Sequence, residues 1–199
     1  MFVLTVDQVG SRRGRDRVPE LLGQLAGAPG LVLPFERTVG DEVQAVVSDA
    51  DATVDLVLRL VRIGGWSIGI GAGPVDEPLP ASTREGSGDA FVHARTAVER
   101  AKIRTRPLPL AVAGSDPAAA ADAEAVLVLL GAVVARRREA GWAVVDAMVE
   151  LGDGATQDRV AARLGISQQA VSQRLRAAMW AEERAGRPAA ARLLREGER

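Results

Sequence analysis

The chain has 199 residues, 47% of them hydrophobic, with 25 basic and 26 acidic side chains and a formal net charge of -1. This composition provides enough apolar material for a folded core and excludes a disordered or collagen-like protein. Cysteine is absent and His93 is the single histidine, which excludes disulfides, thiolate metal sites and a histidine-rich zinc site.

Two features of the sequence bear on where the protein works. The longest apolar run, AEAVLVLLGAVVA, is shorter than the roughly 20 residues of a membrane span and is followed by RRRE. No basic region precedes the apolar start MFVLTVDQVG, so we expect no secretion signal and a cytoplasmic protein. Lys102 is the only lysine, and the preference for arginine, alanine and glycine is typical of a GC-rich bacterial genome.

Apolar alternation and helical spacing predict strands and helices in mixed order over residues 1–114. The predicted elements are the strand FVLTVD, the helix VPELLGQLAG, a hairpin in LVLPFERTVGDEVQAVVS, a helix over 54–61, the strand WSIGIGAGPV, the helix GDAFVHARTAVERAK and the strand LPLAVAG. This order predicts an α+β domain of ferredoxin-like type, with helices packed on one face of an antiparallel or mixed sheet.

Residues 115–150 are helix-forming, with Ser115 or Asp116 as a cap and Pro117 in the first turn. We expect two helices that part near Gly141 and serve as a linker or a dimerisation segment. The segment also carries an apolar stripe, for which two interpretations are open: a dimer seam, or burial against the first domain. The stripe consists of Val126, Leu127, Leu130, Val133 and Val134.

The stretch TQDRVAARLGISQQAVSQRL, residues 156–175, has the spacing of two helices joined by a sharp turn. Such a corner needs a small residue between the helices, a glycine in the left-handed turn and apolar residues that lock the packing. The residues at these places are Ala161, Leu164, Gly165, Ile166, Val171 and Leu175. The pattern predicts a helix-turn-helix within a C-terminal domain of residues 151–199, and it resembles the motif of phage repressors and many bacterial regulators, in which the second helix enters the major groove.

The polar side chains of this motif are suited to double-stranded DNA. Ser167 can cap the second helix, and glutamine and serine side chains can hydrogen-bond base edges. The candidate base-contacting residues are Gln168, Gln169, Ser172 and Gln173, and Ser167 joins the DNA-binding set as the cap of their helix. The candidate phosphate-contacting residues are Arg159, Arg163, Arg174 and Arg176, which stand against Asp158 alone in residues 157–177. The alternative is an ordinary helical hairpin with a solvated face.

Three phrases of the first domain, FVLTVDQVGSR, VGDEVQAVV and WSIGIGAGPV followed by GSGDAFVHARTAVERAK, resemble a shortened class III nucleotidyl cyclase core. The resemblance implies that Asp7 and Asp41 hold magnesium with a nucleotide, since two carboxylates and phosphate oxygens suit that ion. Without a metal, Asp7 caps a loop and Asp41 forms the hairpin turn. Val92 stands where cyclases have asparagine and Arg95 is one position early, so we do not expect cyclase activity.

The combination of this domain with LGISQQAVSQRLRAAMW resembles the SatD family of bacterial proteins over nearly the full chain. Other candidate features have structural interpretations: close packing for the glycines at 69, 71 and 73, a surface or half-buried role for His93, and a solvated loop for SRRGRDR, residues 11–17, which can alternatively meet phosphates.

The sequence therefore predicts a DNA-binding transcriptional regulator, active as a homodimer, whose first domain senses a nucleotide or other small ligand or contacts a protein. The alternative is a metal-dependent nucleotide-binding or nucleotide-converting protein whose helix-turn-helix serves protein interaction. A purely structural role for both domains is the third hypothesis.

Overall fold

The computed structural model describes residues 1–11, 14–103 and 107–199, and it confirms the α+β class. In these ranges five strands form one mixed sheet, accompanied by eight α-helices. The elements are β1 (Phe2–Gln8), α1 (Val18–Leu25), β2 (Leu31–Arg37), β3 (Glu42–Val47), α2 (Ala50–Ile63), β4 (Trp66–Ala72), α3 (Asp89–Ala101), β5 (Leu110–Gly114), α4 (Pro117–Arg136), α5 (Glu139–Leu151), α6 (Gln157–Leu164), α7 (Gln168–Ala177) and α8 (Trp180–Gly197).

The strand order in the sheet is β2-β3-β1-β4-β5. Strand β1 runs antiparallel to both β3 and β4, whereas β5 is parallel to β4 and is reached through α3. In this register Asp7 lies opposite Glu42 on β3 and Ser67 on β4. Three polar residues, Asp7, Glu42 and Ser67, therefore lie side by side near the C-terminal end of the central strand β1.

Helices cover both faces of the sheet, so the prediction of helices on one face was wrong. On the first face, alternate residues of β1 and β4 pack with α1, α2, α4 and α8 in the main core. On the other face Gly69 and Gly71 leave β4 without side chains, and α3 lies directly against its backbone. A Cβ atom at Gly71 would collide with backbone atoms of Ala90 and Ala94. The glycines predicted to pack closely do so at positions 69 and 71.

The segment after β5 begins as predicted and divides at a different place. The side chain of Asp116 accepts hydrogen bonds from the backbone amides of Ala118 and Ala119 and caps α4. The break falls at Arg137 and Arg138, not near Gly141, which is buried inside α5. Gly141 serves packing, because a Cβ there would lie 3.3 Å from the Cβ of Ala178.

The apolar stripe of α4 is mostly used within the chain. Leu127, Leu130 and Val134 belong to the main core, where α4 packs against α2, β5 and α8. Helix α8 also returns to this core through Ala190, Ala191 and Leu194, although residues 180–199 fall within the predicted C-terminal domain. The sheet and its covering helices, including α4 and α8, are called the body below.

Within the described residues α4 is the one helix long and apolar enough, by length and composition, to cross a membrane. Its most apolar 18-residue window has a mean hydropathy of 2.0. One face of α4 is part of the core of the body, which is consistent with a soluble protein. Of this window 33% is buried, and part of the helix surface faces outward.

The contact between β4 and α3 predicts a test of the fold. Gly71→Ala should lower the free energy of unfolding by about 1 to 3 kcal/mol, because the added methyl group displaces α3 from the sheet. Gly23→Ala is the matched control: Gly23 is exposed on α1 with open space around it, so this variant should be as stable as the wild type or slightly more stable. Urea unfolding followed by circular dichroism measures both, and equal stability of the two variants would contradict the close packing.

Candidate nucleic-acid interface

Helices α5, α6 and α7 form a small unit with its own apolar cluster. Its fully buried centre is Val144 from α5, Val160 from α6 and Val171 from α7. The residues that pack around this centre are Ala147, Met148, Leu151, Ala161, Leu164, Ile166 and Leu175. All six residues predicted to form or lock the corner between α6 and α7 lie at this corner, five of them in the cluster and Gly165 in the turn.

The connection between α6 and α7 is three residues long and well capped. Gly165 has a left-handed backbone, with φ of 64°, and its amide donates to the carbonyl of Ala161. The hydroxyl of Ser167 accepts from the amide of Ala170 at 3.1 Å, as predicted for the cap of α7. Thr156 caps α6 in the same way. Both helices therefore begin at residues that satisfy their free amides.

The outward face of α7 carries amides and one arginine. Gln169, Gln173 and Arg176 are exposed and are spaced four and three residues apart, so they share one face of the helix. Inside the ranges that the structure describes, none of the three has a side-chain partner. Ser172 is half-buried beside this face, and Gln168 donates a 2.6 Å hydrogen bond to the side chain of Gln157. The face is polar, accessible and flanked by charge.

The four candidate arginines are in different environments. Arg159 donates to the carbonyl of Gly154 at 2.6 Å, and Arg163 forms an exposed ion pair with Glu150. Arg174 and Arg176 have no ion pair with any residue the structure describes. Arg174 and Arg176 are therefore free to meet an anion, whereas Arg159 and Arg163 would exchange one partner for another.

Arg174 lies away from the glutamines, on the flank of α7 that faces the start of α5. It lines a groove of about 340 Å³ together with Arg136 and Arg138. The two additional arginines are exposed and unpaired among the described residues. The run RRRE is visible in the sequence, but its proximity to Arg174 is not, because only the fold brings residues 136 and 138 next to 174.

Arg137, between these two, is buried and joins the three-helix unit to the body. Its guanidinium donates to the carbonyl of Ala178, at the end of α7, at 3.0 and 3.2 Å, and to Glu183 of α8 at 3.1 Å. The side chains of Arg137 and Glu183 are 1% and 0% exposed. The same guanidinium lies 4.5 Å from the ring centre of Trp142 and 5.8 Å from that of Trp180. One side chain thus holds the end of α7 in place.

A second contact connects α5 to α2 of the body. Arg62 forms a two-bond ion pair with Asp146, at 2.6 and 2.7 Å, and stacks 3.7 Å from the ring centre of Trp142. Trp142 therefore lies between Arg62 and Arg137. The orientation of α7 relative to the body depends on this small set of contacts.

The carboxylates predicted to hold magnesium have different surroundings. Asp7 forms an ion pair with Lys102 at 3.0 Å, and Lys102 also contacts Glu99. Burial lowers the pKa of Lys102, but its hydrogen bonds with Glu99 and Asp7 outweigh that effect and raise the pKa above its usual value. The oxygen Oδ2 of Asp41 is buried without a hydrogen-bond partner. No cluster of three or more acidic or histidine side chains suited to a metal occurs in residues 1–11, 14–103 and 107–199.

The glutamate next to Asp41 is also paired. Glu42 accepts from Thr38 at 2.7 Å and from Arg95 at 3.1 Å, and its side chain is only 8% exposed. Arg95, which lies one position before the place of the cyclase arginine, therefore neutralises a carboxylate of the sheet.

The remaining candidates have structural roles where they are described. The ring nitrogen Nδ1 of His93 lies 2.8 Å from the carbonyl oxygen of Ala72. In the loop SRRGRDR, Arg15 pairs with Glu20 and Arg17 donates to the carbonyl of Gly64. Arg12 and Arg13 lie outside the described residues.

Comparison with known proteins adds nothing to these observations: no protein-family model, curated protein or solved structure matches the chain.

The buried arginine predicts a large and specific loss of stability. Arg137→Leu should cost about 3 to 5 kcal/mol, because it removes the buried counter-ion of Glu183, leaving that carboxylate with Arg187 alone, and it also removes the donor to the carbonyl of Ala178. Arg138→Ala removes the exposed neighbouring arginine and should change stability by about 0.5 kcal/mol or less. The double variant Arg137→Leu with Glu183→Leu should recover much of the loss, since no unpaired charge remains. Thermal unfolding of the three variants tests this, and a similar cost for Arg137→Leu and Arg138→Ala would exclude the proposed role.

Proposed function

We propose that this protein is a cytoplasmic, DNA-binding transcriptional regulator, in which α6 and α7 act as a helix-turn-helix. The observation that carries the proposal is the outward face of α7, where Gln169, Gln173 and Arg176 are exposed and without partners among the described residues. A helix that presents unpaired glutamine side chains and follows a short, glycine-containing turn is suited to the major groove of DNA. The partner is double-stranded DNA, bound by a homodimer.

Base contacts come from one face of α7, and phosphate contacts come from the edge of that face and from the opposite flank. Gln169 and Gln173 hydrogen-bond base edges, since a glutamine side chain can pair with both N6 and N7 of adenine. Arg176 beside them and Arg174 on the opposite flank contact phosphates, which position the protein without reading sequence. The groove that Arg174 shares with Arg138 adds a further phosphate contact at the start of α5.

The first domain acts in this proposal as a sensory or interaction domain. The strand order β2-β3-β1-β4, with α1 and α2 on one face, fits a ferredoxin-like core to which α3 and β5 are added. This fit and the phrases GDEVQ, IGIGAG and GDAFVHAR support membership of the SatD family. Binding at the first domain would reach α7 through Arg62 and Arg137, which contact both α5 and the body.

A second candidate function is a metal-dependent nucleotide-binding protein, and the buried, unpartnered oxygen of Asp41 favours it. The ion pair of Asp7 with Lys102 opposes it, because a magnesium ion would have to displace that cation. Incubation with magnesium or manganese and each nucleoside triphosphate tests this function. Turnover or binding that is lost in Asp41→Ala would support it.

The test of the leading proposal is selection of fragmented genomic DNA by the purified full-length protein at two salt concentrations, followed by sequencing. Enrichment of a few related sites, with affinity that falls steeply as salt increases, would support a sequence-specific regulator. Enrichment of no sequence at either salt concentration would overturn the proposal.

On a selected site, the two classes of contact predict different losses. Gln169→Ala should lose discrimination at particular base pairs, by about 1 to 3 kcal/mol each, because it removes a base contact. Arg174→Ala and Arg176→Ala should weaken all sequences alike and lower the salt slope by about one counter-ion each. Fluorescence anisotropy with matched and mismatched DNA duplexes measures both effects.

Arg192→Ala is the matched control, because Arg192 is an exposed arginine on α8 with no ion pair in the described part of the chain. It should leave both affinity and salt slope unchanged. An equal loss on every duplex for Gln169→Ala would contradict its base contact, and an equal effect of Arg192→Ala and Arg176→Ala would contradict the placement of the interface.

A further inference from the structure

The outward face of α4 carries a second apolar stripe, distinct from the stripe buried in the body. Its members recur at alternating intervals of four and three residues, which places them along one line of the helix. They are Ala118, Asp122, Ala125, Leu129, Ala132 and Arg136. Five of the six are exposed and Ala132 is half-buried.

This stripe has the composition of a helix contact. Leu129 is 69% exposed at its centre, and three alanines at intervals of seven residues leave room for another helix to approach closely. Beside it lies a groove of about 310 Å³ in which Leu129 and Val133 face Met179, itself 44% exposed. An exposed leucine flanked by alanines at heptad spacing gives a second helix a surface against which it can pack.

The two charged residues of the stripe identify that molecule. Asp122 lies seven residues before Leu129 and Arg136 lies seven residues after it, and the two charges are opposite. Neither has an ion pair with any residue within the ranges described. An antiparallel copy of the same helix, centred on Leu129, places each Asp122 against Arg136 of its partner. A parallel copy would bring like charges together, and an acidic or basic partner would satisfy only one of the two residues.

We infer that two copies of this chain associate through α4, antiparallel and related by a two-fold axis at Leu129. The arrangement is self-complementary, as an interface between identical subunits must be. In it Leu129 meets Leu129 of the second copy, Ala125 meets Val133, and the pair of Asp122 and Arg136 occurs twice.

The pairing deepens the proposed function and rests on it for its consequence on DNA. A two-fold axis on α4 relates the two copies of α7. Their relative position is fixed because Arg137, directly after α4, holds the end of α7. The protein would then bind sites with two-fold sequence symmetry.

The absence of cysteine from the chain permits a direct test. In Leu129→Cys, the two-fold axis places the two thiols together, so mild oxidation at micromolar protein should join most chains as a disulfide-linked dimer. Val149→Cys is the matched control, because Val149 is 62% exposed on α5 but lies off the stripe. Equal, slow crosslinking of both variants would overturn the pairing.

Sedimentation equilibrium then tests the register without any crosslink. Asp122→Arg should raise the dimer dissociation constant by about tenfold, since it places arginines of both copies together, whereas Asp122→Arg with Arg136→Asp should restore it. An unchanged dissociation constant in the single variant would indicate parallel pairing, because position 122 then meets a like charge both before and after the change, and it would overturn the antiparallel register. A monomeric wild type would overturn the inference altogether.

Neither measurement contains DNA, so the two proposals can fail separately. A dimer through α4 that selects no DNA would overturn the regulator and leave the pairing intact. A monomer that selects a DNA site would overturn the pairing through α4 and leave the DNA-binding proposal intact.

Discussion

The position of the three-helix unit depends on one buried guanidinium, that of Arg137. It neutralises Glu183, satisfies the carbonyl at the end of α7 and fills the space between Trp142 and Trp180. A buried charge is costly unless it is both paired and hydrogen-bonded, so these contacts must form together. The contacts of Arg137 are therefore expected to form as a set, and this set fixes the orientation of α7.

The neighbouring arginines have a different role because they are exposed. Arg136, Arg137 and Arg138 are consecutive, yet the second is buried, whereas the first and the third are exposed and line the groove with Arg174. Arg136 also ends the outward stripe of α4. A break between two helices turns successive side chains in different directions. One basic run thus supplies a structural anchor, a subunit contact and a phosphate contact in the proposed functions.

Sequence reasoning succeeded where the signal is local. The caps Asp116 and Ser167, the left-handed Gly165 and the order of strands and helices follow from residue types at fixed spacing. It failed where residues distant in sequence decide the outcome. The break after α4 falls at Arg137, whose partner Glu183 is 46 residues away, and the partner of Asp7 is Lys102, directly after α3. The outward stripe of α4 could not be recognised from the sequence either, because its alanines are ordinary helix-forming residues and do not indicate a contact surface.

Helix α8 gives the chain an inserted topology. Its residues Ala190, Ala191 and Leu194 complete the core that begins with β1, while α5, α6 and α7 leave and re-enter the body between α4 and α8. During vectorial synthesis the core over the sheet therefore stays open until α8 has been made, whereas the three-helix unit has its own apolar cluster, complete once α7 has been made. A fragment that ends at residue 114 would expose the surfaces that α4 and α8 cover. Replacement of the inserted unit, α5 to α7, by another three-helix unit would instead leave α4 and α8 in place on the body.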